Sequence, residues 1–236
     1  MKKILEYDEV SSTNDICFDL IEKGEREGTA VVALSQTAGR GRQGRHWISP
    51  KNEGLYLSLI IKKPGPDHLP IVPLVLALAV LRCLKPYSNN ASIKWPNDVL
   101  LGAKKAAGCL VESRKGLLVA GIGINLNNES GSFPENISAT SVKAASKKTA
   151  DPVDLRNNLI AEFEILLDRL ENNGKQDIIS EIKENCSTLG KKASFVREGH
   201  KIEALARDID DLGGLIIERA DGKIEVLYTG EITNGG

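Results

Sequence analysis

The sequence predicts an α+β protein in which helices pack on a mixed or antiparallel sheet. Strand-like segments bracket helical ones, yet several strands are joined by short turns, which favours hairpins over a doubly wound parallel sheet. From Gly190 onward, short β-prone segments separated by turn residues follow one another closely and indicate a small β-barrel. We therefore expect one domain over residues 1–188 and a small C-terminal domain over residues 189–236.

The first third of the chain predicts alternating strands and helices. Ser12 and Asp15 resemble a loose capping box at the start of the first helix, and Gly24 ends that helix. The longest apolar run contains two prolines and is short for a membrane span, so it predicts a buried core helix. The predicted elements are a strand at Ile4–Tyr7, a helix at Thr13–Lys23, strands at Ala30–Ser35 and Leu55–Ile61, and a helix at Leu69–Leu84.

The middle of the chain predicts a hairpin followed by two helices. Residues 126–150 are rich in Ser, Asn and Lys and suggest a mobile connection. Asp151 and Pro152 then form the pair expected at the N-cap and first position of a helix. The predicted elements are strands at Ser92–Lys94, Ala107–Glu112 and Leu117–Ile124 with a turn at Ser113–Gly116, and helices from Pro152 to about Asn172 and over Gln176–Asn185.

The C-terminal segment predicts four short strands with turn residues between them. The strands are Ala193–Arg197, Ile202–Arg207, Gly214–Arg219 and Lys223–Leu227, and the turns are Glu198-Gly199, Asp210–Gly213 and Asp221-Gly222.

Composition limits the classes of function. A net charge of −1 gives no general attraction to nucleic acid or to a membrane surface, and the N-terminus has no apolar signal region. The four cysteines lie far apart and form no CxxC or Cys/His metal pattern. They are typical of buried, reduced thiols, which predicts a cytoplasmic protein.

The most informative segment is residues 36–47, the Gly/Arg loop, which reads Gln-Thr-Ala-Gly-Arg-Gly-Arg-Gln-Gly-Arg-His-Trp. Its backbone N–H groups, guanidinium groups and one flat aromatic wall suit a polyanion that carries a ring. No Asp or Glu occurs between Gly28 and Asn52, so the positive charge is local. The alternative is a solvated surface loop, against which stands Trp47, one of only two tryptophans.

Lys94-Trp95-Pro96-Asn97-Asp98 is the second candidate segment. Pro96 fixes its own φ and moves Trp95 out of the helical region, so a simple hairpin turn is one interpretation. In the functional interpretation, the same rigid segment holds three side chains in position for a nucleotide. Lys94 faces a phosphate, Asn97 binds an adenine-like edge and Asp98 holds Mg²⁺.

Two further positions suggest contact with a ligand. Lys105 precedes small residues that let a ligand approach closely, although a Lys-Lys pair is often only a solvated turn. Gly121 and Gly123 interrupt a strand-like run, which indicates either a β-bulge or a ligand lying flat on the sheet.

The chemistry that these residues predict is electrostatic. The three histidines form no metal or triad pattern, and neither a GxSxG motif nor a paired-carboxylate arrangement is present. We therefore expect charge stabilisation on a phosphate ester, with little covalent catalysis by the protein.

Taken in order along the chain, these elements resemble the biotin–protein ligases. The resemblance covers most of the chain and is most specific in the pair formed by the Gly/Arg loop and the Lys94–Asp98 segment. The matching pieces are Ser12-Thr13-Asn14, Gln36, Gly39-Arg40-Gly41-Arg42 through Trp47, Lys94 to Asp98, Lys105 to Gly108, and Gly121 to Asn125.

The resemblance implies a class II synthetase-like catalytic domain followed by an SH3-like barrel. It implies that biotin and MgATP react to biotinyl-5′-AMP, and that a lysine of a biotin carboxyl carrier protein then accepts the biotin. It also implies a homodimer. Because the chain begins close to Ser12, without room for the winged helix-turn-helix of bifunctional members, we expect no operator binding and no nucleic-acid or membrane partner.

The resemblance also implies roles for single residues. Lys105 is expected to be the main catalytic residue, assisted by Arg42, with Asp98 as the metal ligand. The biotin-binding set is Ser12, Thr13, Asn14, Gln36, Gly39, Arg40, Gly41, Arg42, Lys105, Gly121 and Gly123. The ATP-binding set is Arg40, Arg42, Trp47, Lys94, Asn97, Lys105 and Asn125.

Three rival functions remain open at this point. A lipoate–protein ligase or octanoyltransferase resembles this fold but binds a longer acyl chain and lacks the Gly/Arg loop with its tryptophan. An RNA-binding module needs an extended basic face with several aromatics, which this aromatic-poor chain does not offer. A non-catalytic biotin-binding protein would not need Lys94, Asp98 and Lys105 together.

Overall fold

A computed structural model of the protein describes residues 3–197 and 200–233. The helices are α1 (Thr13–Glu22), α2 (Val72–Leu84), α3 (Val142–Ser146), α4 (Pro152–Glu171) and α5 (Lys175–Glu184). The strands of the first sheet are β1 (Lys3–Val10), β2 (Thr29–Gln36), β3 (Gly54–Lys62), β4 (Ala91–Lys94), β5 (Asp98–Leu101), β6 (Lys104–Arg114) and β7 (Leu117–Asn125). Those of the second sheet are β8 (Lys192–Arg197), β9 (His200–Ile209), β10 (Leu215–Arg219), β11 (Ile224–Leu227) and β12 (Glu231–Thr233).

The first sheet is mixed, as the sequence predicts. Its strand order is β1-β2-β3-β7-β6-β5-β4, and the β1–β2 pair is parallel while the other neighbours are antiparallel. The β6–β7 hairpin turns at Lys115 (φ 47°) and Gly116 (φ 78°). Positive φ at both central residues is the geometry that tight hairpins favour, so this turn fixes the register of the two central strands.

Helices cover both faces of this sheet. Successive strand residues point to opposite faces, and the core follows that alternation. Val31, Ile60 and Val119 pack with Cys17 and Ile21 of α1. Their chain neighbours, which include Ala30, Leu59, Leu118 and Ala120, belong to the larger core that α2, α4 and α5 complete. The α+β prediction is therefore confirmed.

The helix starts show one correct prediction and one wrong one. The Asp151 carboxylate accepts hydrogen bonds from the N–H groups of Val153 (2.7 Å) and Asp154 (3.0 Å), so α4 is capped as expected. The capping box at α1 was wrong, because the Ser12 side chain makes no capping hydrogen bond. The Thr13 N–H of the first turn instead donates to Gln36 Oε1 (2.8 Å), supplied by β2.

The segment at residues 126–150, whose composition predicts a mobile connection, is buried near both ends and largely exposed over residues 129–138. Lys105 N–H donates to Ser138 O (3.0 Å), and Thr140 N–H donates to Lys105 O (2.9 Å). Ser141 is buried and caps α3 by accepting from Ala144 N–H (3.0 Å). Parts of this segment are therefore held by distant β6, and the mobility of the rest stays a prediction.

The second sheet is antiparallel, in the order β11-β10-β9-β8-β12, and it forms a small β-domain as predicted. Trp95 connects it to the first sheet. The indole N–H of this buried side chain donates to Gly213 O (3.0 Å), and its backbone N–H donates to Thr188 Oγ1 (3.1 Å). The predicted turn at Glu198-Gly199 lies outside the described residues, and the division at residues 188–189 stays a prediction.

The described residues include no helix with the length and apolar character needed to cross a membrane. All four cysteines are buried and free of disulfides. Burial raises the pKa of the Cys17 and Cys83 thiols to about 12 in each case, so these side chains are inert apolar fillers.

Candidate functional site

Two adjoining cavities lie where the Gly/Arg loop, the β4–β5 turn and strands β6 and β7 meet. The smaller cavity has a volume of about 210 Å³ and reaches the start of α1. The larger cavity, of about 1030 Å³, extends along the 133–139 segment to Lys191 and Lys192 at the start of the second sheet. Both are lined by Arg45, His46, Trp47, Lys94, Asp98 and Lys105. Residues remote in sequence therefore converge on one site.

One end of the smaller cavity is a set of hydrogen-bonding side chains. Thr13 donates to Gln36 Oε1 through its N–H (2.8 Å) and its hydroxyl (3.2 Å). Gln36 Nε2 donates to Ser49 Oγ (2.8 Å). Ser58, fully buried on β3, lies with its Oγ 2.7 Å from Thr13 Oγ1 and donates to Asn14 Oδ1 (2.5 Å). This end suits a small ligand group that both donates and accepts hydrogen bonds.

The two glycines of β7 let side chains lie directly against the sheet. A Cβ on Gly121 would come within 3.0 Å of the Asn14 amide, and one on Gly123 would come within 3.0 Å of the Trp47 indole. Asn14 and Trp47 thus rest on the surface where a ligand is predicted. The Trp47 indole N–H is buried here without a hydrogen-bond partner.

Three cationic side chains converge near Asp98. Lys105 Nζ lies 2.8 Å from Asp98 Oδ1 and 5.2 Å from the centroid of the Trp47 ring. Arg42 donates to Asn97 Oδ1 (3.0 Å), and Lys94 lines both cavities. Burial lowers the pKa of Lys94 and that of Arg42 below their ordinary values. Such desolvated cations attract an anion more strongly than exposed ones do.

Arg40 behaves differently from the other loop cations. Its Nη2 lies 2.6 Å from Glu112 Oε2 and 3.2 Å from Asp15 Oδ1. Its guanidinium also stacks over Phe18, 5.3 Å from the ring centroid. The Arg40 side chain is therefore held against α1 and β6 by two carboxylates and an aromatic ring.

The site offers limited ligands for a metal ion. The described residues contain no group of three or more His, Cys, Asp or Glu side chains placed to hold one. Asp98 is the acidic side chain among the described residues that line the two cavities. A single carboxylate fits Mg²⁺, which is commonly held by one or two carboxylates together with the phosphates of a nucleotide.

The structure brings the predicted site residues together. Gly39 lies at the base of the Gly/Arg loop, where a Cβ would come within 3.0 Å of Gln36 Nε2 and Trp47 O. Asn125 lines the larger cavity and donates to Thr140 O (3.0 Å). The smaller cavity is lined by Ser12, Thr13, Asn14, Gln36, Arg40, Gly41, Arg42, Trp47, Lys94, Asn97, Asp98, Lys105, Gly121 and Gly123.

Sequence reasoning missed two parts of this site. Ser58 is the single polar residue in the apolar run Leu55–Ile61, and that irregularity could have marked it. Glu112 ends a predicted strand and gives no local signal, because its partners lie 72 and 98 positions away.

Models of two protein families match the chain. Residues 7–128 match the Biotin/lipoate A/B protein ligase family, and residues 188–233 match the Biotin protein ligase C terminal domain.

Individual relatives align over nearly the whole chain. The bifunctional ligase/repressor BirA of Bacillus spizizenii is 32% identical over 98% of this chain and 74% of its own length. The biotin--[acetyl-CoA-carboxylase] ligase of Mycobacterium tuberculosis is 27% identical, with 97% and 89% covered. The structure of Aquifex aeolicus biotin protein ligase with biotin and ATP superposes with a TM-score of 0.87 at 32% identity, covering 99% of this chain and 98% of that one.

Proposed function

Because the chain belongs to the biotin/lipoate A/B protein ligase family, we propose that it is a biotin–protein ligase. It activates biotin with MgATP to biotinyl-5′-AMP and transfers the biotin to a lysine of an acceptor protein. The observation that carries this function is the convergence of Arg42, Lys94 and Lys105 beside a hydrogen-bonding cavity. The biotin ligase C-terminal domain model supports this function over a lipoate ligase or octanoyltransferase.

The first step joins two anions. A carboxylate oxygen of biotin attacks the α-phosphorus of ATP, the bond to the bridging β-phosphate oxygen breaks, and pyrophosphate leaves. Like charges about 4 Å apart repel by about 4 kcal/mol at an effective dielectric of about 20. Lys105 and Arg42 are placed to offset this repulsion at the reacting atoms, and Lys94 neutralises phosphate charge nearby.

The second step transfers the activated acyl group. A neutral lysine amine of the acceptor attacks the acyl carbon of the mixed anhydride, its proton is lost, and AMP leaves as an amide forms. The protein contributes position and charge to this step, since the anhydride is already reactive.

We assign the remaining residues from their places in the two cavities. Ser12, Thr13, Asn14 and Gln36, with Gly39 and Gly41 of the loop, receive the ureido end of biotin. Trp47, Asn97 and Asn125 contact the nucleotide, and Asp98 holds the Mg²⁺ of MgATP. Gly121 and Gly123 keep the floor of the cavity flat.

A mass measurement tests the proposed function directly. The protein is incubated with biotin, MgATP and a biotin carboxyl carrier domain, and one acceptor lysine is expected to gain the mass of a biotinyl group. Pyrophosphate–ATP exchange that depends on lipoate, and is absent with biotin, would establish the alternative function.

The burial of Lys94 predicts that the KM for ATP depends on pH. Burial favours its neutral form, so Lys94 loses its proton at a lower pH than an exposed lysine does. We therefore expect the KM for ATP to rise on the alkaline side earlier than an unperturbed lysine would allow. Lys94→Arg should move that rise to higher pH, because arginine stays charged. Lys104→Arg, at an exposed position outside the lining of both cavities, is the control. Identical pH profiles for Lys94→Arg and the unmodified protein would contradict this assignment.

The family implies biotin-dependent carboxylase proteins as acceptors. We further propose a homodimer formed through β1. This strand is an edge of the first sheet, whereas the other edge strand, β4, is covered where Ile93 pairs with the 185–187 segment. Sedimentation of the protein with biotin and MgATP as a 25.5-kDa monomer would contradict the dimer.

We also propose that the protein is cytoplasmic. Its four buried, free cysteines support a reducing environment. Recovery of the native protein in a secreted fraction would contradict this location.

A further inference from the structure

We propose that Glu112 is a positioning residue that holds Arg40, and with it the Gly/Arg loop, closed over the biotin end of the smaller cavity. On this proposal Arg40 is a loop anchor instead of the direct contact to biotin and ATP that the sequence resemblance implies. The inference rests on the proposed function, because it assumes that the smaller cavity takes biotin.

The contacts of Arg40 support its role as a loop anchor. Its guanidinium meets Glu112 at 2.6 Å and Asp15 at 3.2 Å, and it stacks on Phe18. Two carboxylates offset its single positive charge, so it offers little attraction to a phosphate in this arrangement. The same contacts tie the middle of a glycine-rich loop to α1 and β6, where the loop would otherwise gain entropy by opening.

Glu112 also fixes a side chain inside the cavity. The carboxylate oxygen that meets Arg40 accepts a hydrogen bond from Asn14 Nδ2 (2.7 Å). The Asn14 amide oxygen accepts from Ser58 Oγ (2.5 Å), and the amide lies over Gly121. One carboxylate oxygen thus positions both the loop and the side chain that covers the sheet.

The hydrogen bonds continue from Ser58 back to the loop. Ser58 Oγ lies 2.7 Å from Thr13 Oγ1, and the Thr13 N–H donates to Gln36 Oε1 (2.8 Å). Gln36 donates to Ser49, whose hydroxyl donates to Trp47 O (3.1 Å). The Trp47 N–H then donates to Gly39 O (2.9 Å), the carbonyl next to Arg40. The network therefore starts and ends in the Gly/Arg loop and passes beneath the cavity.

Glu112→Gln keeps the shape of the side chain and removes its charge. Charge-assisted hydrogen bonds are roughly twice as strong as neutral ones, so the Arg40 anchor weakens. We expect the biotin dissociation constant, measured by calorimetry without ATP, to rise by about ten-fold. At saturating biotin, kcat and the KM for ATP should stay within about two-fold of the unmodified protein, because Glu112 does not touch the reacting atoms.

Two variants serve as comparisons. Glu218→Gln removes an Arg207–Glu218 ion pair (2.5 Å) on the second sheet and should leave biotin affinity unchanged. Asp15→Asn removes the weaker of the two carboxylate contacts of Arg40 and should raise the biotin dissociation constant by less than Glu112→Gln does. Thermal melts establish that each variant folds, and Asp15→Asn alone tests the anchor if Glu112→Gln does not fold.

A double-mutant cycle with Arg40→Met separates the two roles of Arg40. An anchor predicts that Arg40→Met weakens biotin binding without ATP, and that Glu112→Gln weakens it less in the Arg40→Met background than in the unmodified protein. A phosphate clamp predicts a raised KM for ATP with unchanged biotin affinity, which would overturn the proposal. Unchanged biotin binding in Glu112→Gln would overturn it as well. Failure of the unmodified protein to bind biotin would overturn the proposed function.

Discussion

Lys105→Ala is expected to lower the rate of biotinyl-5′-AMP formation by about 100- to 1,000-fold, the usual effect of removing one preorganised charge-stabilising group. Lys105 reaches into both cavities, pairs with Asp98 at 2.8 Å and lies over the Trp47 ring. Biotin binding without ATP should change much less, since repulsion between the carboxylate and the phosphate arises only when both substrates are present. Biotin-dependent pyrophosphate release measures the first quantity and calorimetry the second.

The neighbouring lysine supplies the control for this prediction. Lys104 lies on the same strand, carries the same charge and is exposed. Lys104→Ala should therefore retain pyrophosphate release at the unmodified rate. Normal release by Lys105→Ala would end the assignment of Lys105 as the main catalytic residue.

Gly123→Ala should lower adenylate formation by about 100-fold, the scale of loss that a misplacement of about 1 Å produces. The added methyl group would come within 3.0 Å of three atoms of the Trp47 indole. A rigid ring cannot yield as the end of a flexible chain does, so Trp47 must leave the floor of the cavity. Such overpacking also costs about 1–3 kcal/mol of stability. Pyrophosphate release and chemical unfolding measure the two effects.

Gly65→Ala is the matched control for this substitution. Gly65 has open space around the position of a Cβ and no left-handed φ, so the same change should alter neither activity nor stability. Adding Trp47→Ala to Gly123→Ala should restore the stability and leave activity low. Full activity of Gly123→Ala would show that Trp47 need not lie on β7.

The sequence predicted the parts of the site that depend on residue type and spacing. Arg42, Lys94 and Lys105 were identified from local motifs, and the structure brings them into one cavity. Asp151 was identified because its capping partners, Val153 and Asp154, lie within three residues. Local geometry of this kind is encoded in neighbouring residues.

The parts that were missed depend on partners remote in sequence. Ser12 resembles a capping residue, but the first turn of α1 takes its acceptor from Gln36, which no local pattern specifies. Residues 126–150 are polar enough to suggest a mobile segment, yet the backbone of Ser138 and Thr140 pairs with Lys105. Glu112 looks like any strand residue until the fold brings it to Arg40. Strands β5 and β12 were not predicted either.

Because the two tryptophans have different surroundings, the intrinsic fluorescence of the protein can report ligand binding. Trp95 is 1% exposed and hydrogen-bonded to Gly213 O, so its fluorescence should change less on ligand binding than that of Trp47. Trp47 lies in the cavity against Gly123 with a charged lysine over its ring. A ligand that stacks on this indole or displaces the lysine changes its emission, so occupancy of the site can be followed in real time without a label.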